Sequence, residues 1–328
     1  MKIINYRVSE LEKKFIEAWA NKNNVEVKCV EEPLTSKSVD LAKGFDGVTS
    51  EGMDEVTEDV YESLEKFGVK QLAIRQVGVD NQDLDAAKKH GIKITNVPAY
   101  SPRAIAEMGV TQAMFLLRKV GVYLDRMKNG NYGFDASTIS TEIFNCTVGL
   151  IGAGHIGGAT AEIYHALGAK VLTYDPFYDA SLEPFTTYVD LDTIFKEADI
   201  ISLHTPLLPS TANIINKETI KKMAKKPILI NMARGGLVNT QDLIDALKSG
   251  DISAAGLDTI ADEVEFYGAN KPLEDTPKDY QELSKMPNVL VTPHVAFFTE
   301  LAEKNMMEIA LNSALAIIAG KSVRNQVN

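Results

Sequence analysis

Three side chains in the last hundred residues of this 328-residue chain have the types that hydride chemistry at a carbonyl requires. They are Arg234 in NMARGG, Glu263 in ADEVE and His294 in VTPHVA. A 2-oxo acid presents a carboxylate, which calls for a guanidinium or backbone N–H groups, because a charge taken out of water must be paired. Its carbonyl oxygen calls for a proton donor as negative charge develops, and imidazole exchanges its proton most readily near neutral pH. An imidazole in that role calls for a carboxylate that orients it and favours its protonated form. Arg234, His294 and Glu263 offer one group for each task. Each also has a plainer alternative: an arginine before Gly-Gly paired with a surface acid, a loop histidine after a proline, and one member of a solvated acidic run with Asp262 and Glu265. Placement joins them. Arg234, Asp258 and His294 follow consecutive late apolar runs, and open α/β sheets gather ligands just beyond the carboxyl edge of such strands.

Residues 147–176 read TVGLIGAGHIGGATAEIYHALGAKVLTYDP. A strand runs into Gly152, Gly154 and Gly157, a helix follows, and a second strand ends at Asp175, 18 positions after the last of these glycines. Gly152 permits a tight turn, Gly154 lets backbone approach a pyrophosphate, and Gly157 allows helix and strand to pack closely. The helix N-terminus offers free N–H groups and a positive dipole to the pyrophosphate. Asp175 is placed to accept hydrogen bonds from ribose hydroxyls and to repel a 2′-phosphate, so NAD (NADH) is expected rather than NADP. The plainer alternative makes the glycines turns and Asp175 a strand-end cap. His90, His165 and His204 read as structural.

The elements that must position these groups alternate almost from end to end, short apolar strands with amphipathic helices, which is the pattern of parallel α/β layers. Strands are expected at 2–8, 25–30, 45–49, 71–75 and 93–97, and a second series at 147–152, 170–174, 200–204, 228–232, 254–258 and 289–292. Between the series, 101–127 has helical spacing, with Ser101 as N-cap and Pro102 at the first helical position. A further helix is expected over 300–319, and 262–287 reads as a long loop with a short helix. The length suits two domains. Apolar residues make up 45% and charged residues 24%, the balance of an ordinary soluble protein. A formal net charge of −11 argues against nucleic acid or an anionic membrane surface as partner. The opening run MKIINYRVSE reads as a strand rather than a secretory leader, and no apolar run is long enough for a membrane span. Cys29 and Cys146 stand far apart without metal-ligand spacing, so no metal is expected, and a reducing cytoplasm is.

The chain resembles the D-2-hydroxyacid dehydrogenase family, and within it the D-lactate and D-2-hydroxyisocaproate branch. The likeness runs through IRQVGVDN (74–81), NVPAYSPRAIAE (96–107), VGLIGAGHIG (148–157), YDP (174–176) and SLHTPLLPST (202–211). It continues in INMARGGLVNTQDLIDAL (230–247), AAGLDT (254–259) and PNVLVTPHVAFFTE (287–300). The resemblance implies His294 as proton donor or acceptor, Glu263 as its acidic partner and Arg234 as the clamp on the substrate carboxylate. It implies backbone at Val77 and Gly78 as a second hold on that carboxylate, with Tyr100 and Phe297 lining the pocket. It implies NAD contacts at His155, Ile156, Thr205, Pro206, Thr211, Met232, Ala233, Arg234 and Asp258, besides the glycines and Asp175. The implied architecture is a Rossmann-type NAD-binding domain over 101–297 and a smaller, discontinuous, flavodoxin-like substrate domain over 1–100 and 298–328. A homodimer joined through the NAD-binding domain is implied as well.

By this resemblance the reaction is the reversible reduction of a 2-oxo acid to a D-2-hydroxy acid, with pyruvate and D-lactate the leading pair. Longer acids such as 2-oxoisocaproate or phenylpyruvate are the alternative, and a non-catalytic NAD-sensing protein on the same scaffold is the rival class. Arg103, Gln76 and Gln82 depart from the branch's usual residues. Glu51, placed at the far end of the pocket, is expected to disfavour a second substrate carboxylate if it faces inward.

Overall fold

The apolar runs become strands because a parallel sheet buries both of its faces and so requires near-continuous apolar sequence. The computed structural model describes residues 1–79, 81–267 and 270–328. In chain order the elements begin with β1 (Lys2–Asn5), α1 (Glu10–Asn23), β2 (Glu26–Cys29), β3 (Gly47–Ser50), α2 (Glu58–Lys66), β4 (Gln71–Ile74), α3 (Leu84–Lys89) and β5 (Lys93–Thr95). There follow α4 (Pro102–Leu117), α5 (Val120–Lys128), β6 (Thr147–Ile151), α6 (His155–Ala166), β7 (Lys170–Tyr174), β8 (Thr187–Tyr188), α7 (Leu191–Glu197) and β9 (Ile200–Leu203). The chain closes with α8 (Lys217–Ile220), β10 (Ile228–Asn231), α9 (Thr240–Ser249), β11 (Ala254–Leu257), α10 (Lys278–Leu283), β12 (Val289–Val291) and α11 (Glu300–Ile318).

Two units separate, Met1–Ser101 with Phe298–Asn328, and Pro102–Phe297. In the first, the described residues form a parallel sheet in the order β2-β1-β3-β4-β5. Every residue of β3 and β4 is buried. The start of α1 is set by a capping box: the Glu12 N–H donates to Ser9 Oγ, and the Ser9 N–H donates to Glu12 Oε2 at 2.7 Å. Helix α11 returns to this unit and packs on α1, β3, β4 and β5, with Trp19 Nε1 donating to Asn312 Oδ1 at 2.9 Å.

In the second unit the order is β12-β11-β10-β9-β6-β7-β8, again all parallel. The strand order reverses at β6, which lies between β9 and β7, and crevices for ligands open at such a switch point. One face of the sheet packs on Phe195, Ile244 and Leu283, the other on Ala113, Leu116 and Tyr164.

One expectation needs correction. The stretch 101–127 is not one helix: Lys119 takes a left-handed conformation (φ 52°) and separates α4 from α5. Its Nζ donates to the Ser137 carbonyl at 2.8 Å, and Gly121 lets the chain turn back against Phe115. Helical periodicity continues across the break, so the pattern alone hid it. The sheet also gains β8, two residues on its edge with no apolar run in the sequence to announce them.

Candidate active site

The glycine-rich turn owes its shape to backbone contacts that side chains would block. Gly152 has φ 106°, and a Cβ there would lie 2.6 Å from the His204 carbonyl. A Cβ on Gly157 would strike the Gly152 carbonyl, so this glycine admits α6 to the sheet. Among the described residues nothing lies within 4 Å of a Cβ on Gly154. Gly154 is the N-cap of α6, and among the described residues no side chain caps that helix, which leaves its first N–H groups available to an anion. Asp175, just past β7, accepts from the Ala153 N–H at 2.6 Å and the Phe177 N–H at 2.8 Å, tying β7 to the turn.

His155 lies exposed at the start of α6, and Ile156 is half-buried beside it. His204 sits beneath the turn, its Nε2 2.9 Å from Ser202 Oγ and its Nδ1 buried without a partner among the described residues. Burial pushes its pKa down to about 4, so a neutral imidazole braces the loop. Thr205 and Pro206 open the following segment, which Thr211 closes by donating to the Pro206 carbonyl at 2.6 Å. Open space over Gly154, an uncapped helix start and a carboxylate at the end of β7 together fit a dinucleotide.

Arg234 stands in the turn after β10. Buried Asn231 shapes that turn, accepting from the Ala233 N–H at 3.1 Å and donating to the Arg234 carbonyl at 2.9 Å. Met232 is buried below it. The Arg234 guanidinium is exposed and donates to the Ala233 carbonyl at 2.8 Å, and no carboxylate pairs with it among the described residues. Next to it, a Cβ on Gly235 would strike the Ile260 carbonyl, so the arginine turn lies directly against the segment that leads to Glu263.

His294 and Glu263 meet: Nδ1 lies 2.7 Å from Glu263 Oε1. The other carboxylate oxygen, Oε2, accepts from the Ile260 N–H at 2.8 Å, which fixes the acid. With Nδ1 held by the carboxylate, Nε2 is left to exchange a proton with a substrate. The histidine side chain is 42% exposed and that of Glu263 15%, so the imidazole is reachable and its partner sheltered.

Asp258, at the end of β11, is 1% exposed. Its Oδ1 accepts from Thr292 Oγ1 at 2.5 Å and the Val295 N–H at 3.0 Å, and Oδ2 accepts from the Ala296 N–H at 2.9 Å. These three bonds serve the loop that carries His294. His294 has φ 55°, a left-handed conformation costly for any residue but glycine, and its own N–H is tied to the Asp258 carbonyl at 2.9 Å. The expected Phe297 is half-buried just beyond this loop.

In the first unit, Val77 and Gly78 follow β4. Val77 is exposed, and its carbonyl accepts from Asn96 Nδ2 at 2.8 Å. The preceding Arg75 is buried, its guanidinium held by Glu12, Thr49 Oγ1 and the carbonyls of Tyr6 and Arg7. Tyr100 is half-buried, and its carbonyl accepts from Asn305 Nδ2 at 2.6 Å. Glu51 does not stand alone: it pairs with Arg7 at 3.0 Å, so a lone carboxylate repelling a second substrate charge is not what this unit presents.

Sequence reasoning passed over Asn231, Thr292 and Gln112. Nothing in their spacing marks them, because each acts through a partner that only the sheet brings near.

The model for the D-isomer specific 2-hydroxyacid dehydrogenase NAD-binding domain matches residues 110–296. The chain is 42% identical to the D-lactate dehydrogenase of Lactiplantibacillus plantarum, over 100% of this chain and 99% of that one. It is 40% identical to the D-lactate/D-glycerate dehydrogenase of Pediococcus acidilactici, with the same shares covered. Among solved structures it is similar to the NAD-complexed D-isomer specific 2-hydroxyacid dehydrogenase of Lactobacillus delbrueckii ssp. bulgaricus, with a TM-score of 0.95 and 50% identity over 100% of both chains.

Proposed function

The chain belongs to the D-isomer specific 2-hydroxyacid dehydrogenase family, and on that premise we propose that it reversibly reduces pyruvate to D-lactate with NADH. The observation that carries the chemistry is the 2.7 Å contact between His294 Nδ1 and Glu263 Oε1, beside the turn of an arginine with no acidic partner among the described residues. The bound dinucleotide supplies the hydride in one direction and accepts it in the other. Gly152, Gly154 and Gly157 with the start of α6 hold its pyrophosphate, and Asp175 holds the ribose hydroxyls.

Arg234 takes the substrate carboxylate with its planar fork and polarises the neighbouring carbonyl. His294, protonated and steadied by Glu263, gives a proton from Nε2 to the carbonyl oxygen, and takes one back in the oxidative direction. Val77, Gly78 and Tyr100 of the first unit and Phe297 of the second are further residues that the family resemblance proposes for the substrate. The first unit is thus the substrate domain and the second the NAD-binding domain.

Among the described residues no helix is long and apolar enough to cross a membrane, and both cysteines are free, which supports a cytoplasmic enzyme. Leu124, Met127, Tyr132, Phe134, Ile139 and Phe144 are all exposed on the second unit. So much apolar surface on one stretch supports a homodimer joined there.

The test is loss of NADH absorbance when 2-oxo acids are added as a panel. Fastest turnover of pyruvate, with D-lactate as product, is the expected result. Preference for 2-oxoisocaproate or phenylpyruvate replaces the substrate, and no turnover of any acid despite NADH binding replaces the enzyme with a nucleotide sensor.

A further inference from the structure

Beyond the residues assigned above, and resting on that assignment of His294, we propose that Gln112 and Thr292 are positioning residues that hold the His294 loop through Asp258. The three groups form a directional chain. Gln112 Nε2 donates to Thr292 Oγ1 at 2.8 Å, and Thr292 donates to Asp258 Oδ1 at 2.5 Å. The direction is set by chemistry: an amide nitrogen only donates, so Thr292 Oγ1 accepts from Gln112 and turns its single hydroxyl proton to Asp258. Asp258 in turn receives the N–H groups of Val295 and Ala296, the two residues after His294. A histidine in the left-handed region persists only where its surroundings over-determine it, and this clamp on both sides of His294 does so.

The fold makes room for the amide at a cost. Gln112 is 1% exposed on α4, which packs on β10, β11 and β12. On β11, Gly256 leaves the slot: a Cβ there would lie 2.6 Å from Gln112 Oε1 and 2.8 Å from Ile230 Cδ1. Gln112 Oε1 is itself buried without a partner among the described residues, and an orphaned acceptor destabilises the folded state. A leucine or methionine would fill this space without that penalty. A polar group in such a slot is explained by the bond it makes to Thr292.

The experiment compares Gln112→Met, Thr292→Val, the double variant and Thr292→Ser with the full-length parent. Misplacing a reacting group by about 1 Å can cost 10²-fold. Gln112→Met and Thr292→Val are therefore expected to lose about tenfold or more in kcat, with pyruvate KM and NADH Kd within about threefold of the parent. Thr292→Ser keeps the hydroxyl and is expected to restore kcat. The double variant should lose no more than the worse single, because one chain is cut in either case. Independently of turnover, amide hydrogen exchange at Val295 and Ala296 should quicken in both single variants while the amides of β6 and β9 keep their protection. Normal kcat in both variants overturns the proposal. So does uniform loss of protection, failure of serine to rescue, or losses that multiply in the double. If the parent reduces no 2-oxo acid, the functional reading fails on its own, and exchange at Val295 and Ala296 alone decides whether this chain holds the loop.

Discussion

At the scale of single residues, a guanidinium folded back on its own turn, as Arg234 is on the Ala233 carbonyl, keeps donors for a planar anion. Lysine offers a point charge without the fork, so Arg234→Lys is expected to keep fold and NADH affinity and lose on the order of 10²-fold in kcat/KM for pyruvate. Steady-state kinetics beside a fluorescence titration with NADH reads this, and near-normal kinetics would mean the carboxylate is held elsewhere. Glu263 tests differently. Its carboxylate fixes the imidazole through Nδ1 and leaves Nε2 to exchange the proton. Glu263→Gln keeps the size without the charge, and is expected to lower kcat about tenfold or more while pyruvate KM stays within about threefold. An unchanged kcat in steady-state kinetics would mean that the imidazole is held by other groups.

At the scale of elements, β6, α6 and β7 act as one unit, since Asp175, the residue proposed to hold the ribose hydroxyls, also holds the Ala153 N–H at 2.6 Å. Asp175→Ala should weaken NADH binding, through the lost ribose contact and the loosened turn, while a 2′-phosphate no longer meets a carboxylate. The NADH-to-NADPH preference is expected to narrow about tenfold or more, consistent with loss of one charge-assisted contact. The two dissociation constants measure it. An unchanged ratio would assign Asp175 to the turn alone. The neighbouring strands show the same economy, since Asn231 at the end of β10 and Asp258 at the end of β11 each use a buried side chain to shape the loop beyond.

At the scale of the whole molecule, the acidic balance of −11 has a buried counterpart in the first unit. Glu303 of α11 is 5% exposed, and its pKa is raised to about 7 by burial first, then by Glu12 and Glu51, against the lowering influence of Arg75. A carboxyl whose folded value is raised holds its proton in the native state after the unfolded chain has lost it. That contribution to stability is complete below the unfolded value of about 4.3 and is lost as pH rises through about 7. Glu303→Gln keeps the neutral form, so it should stabilise at about pH 8, on the order of 2 kcal/mol, and change little at about pH 4. Urea unfolding at the two pH values checks this, and a variant equally destabilised at both would show that the glutamate is held ionised. The exposed apolar stretch of the second unit has its own readout. Phe134→Glu with Ile139→Glu is expected to halve the mass in light scattering if two copies meet there, and an unchanged mass would exclude that face.

Much of this architecture was legible before any coordinates. Parallel strands buried on both faces must be continuous apolar runs, and Gly152, Gly157 and Asp175 are dictated by dihedral and steric needs within one strand–helix–strand unit. These are local constraints, and a sequence writes them out in order. The choice of side-chain partner is not local. Gln112 meets Thr292 across 180 positions, Arg7 meets Glu51 across the ends of β1 and β3, and Asp258 turns inward because β12 lies beside β11. The Lys119 break escaped the sequence because apolar spacing continues through it, and β8 because a two-residue edge strand has no pattern to show. Periodicity specifies which face of an element is buried; only the packed order of the strands decides which side chains it is buried against.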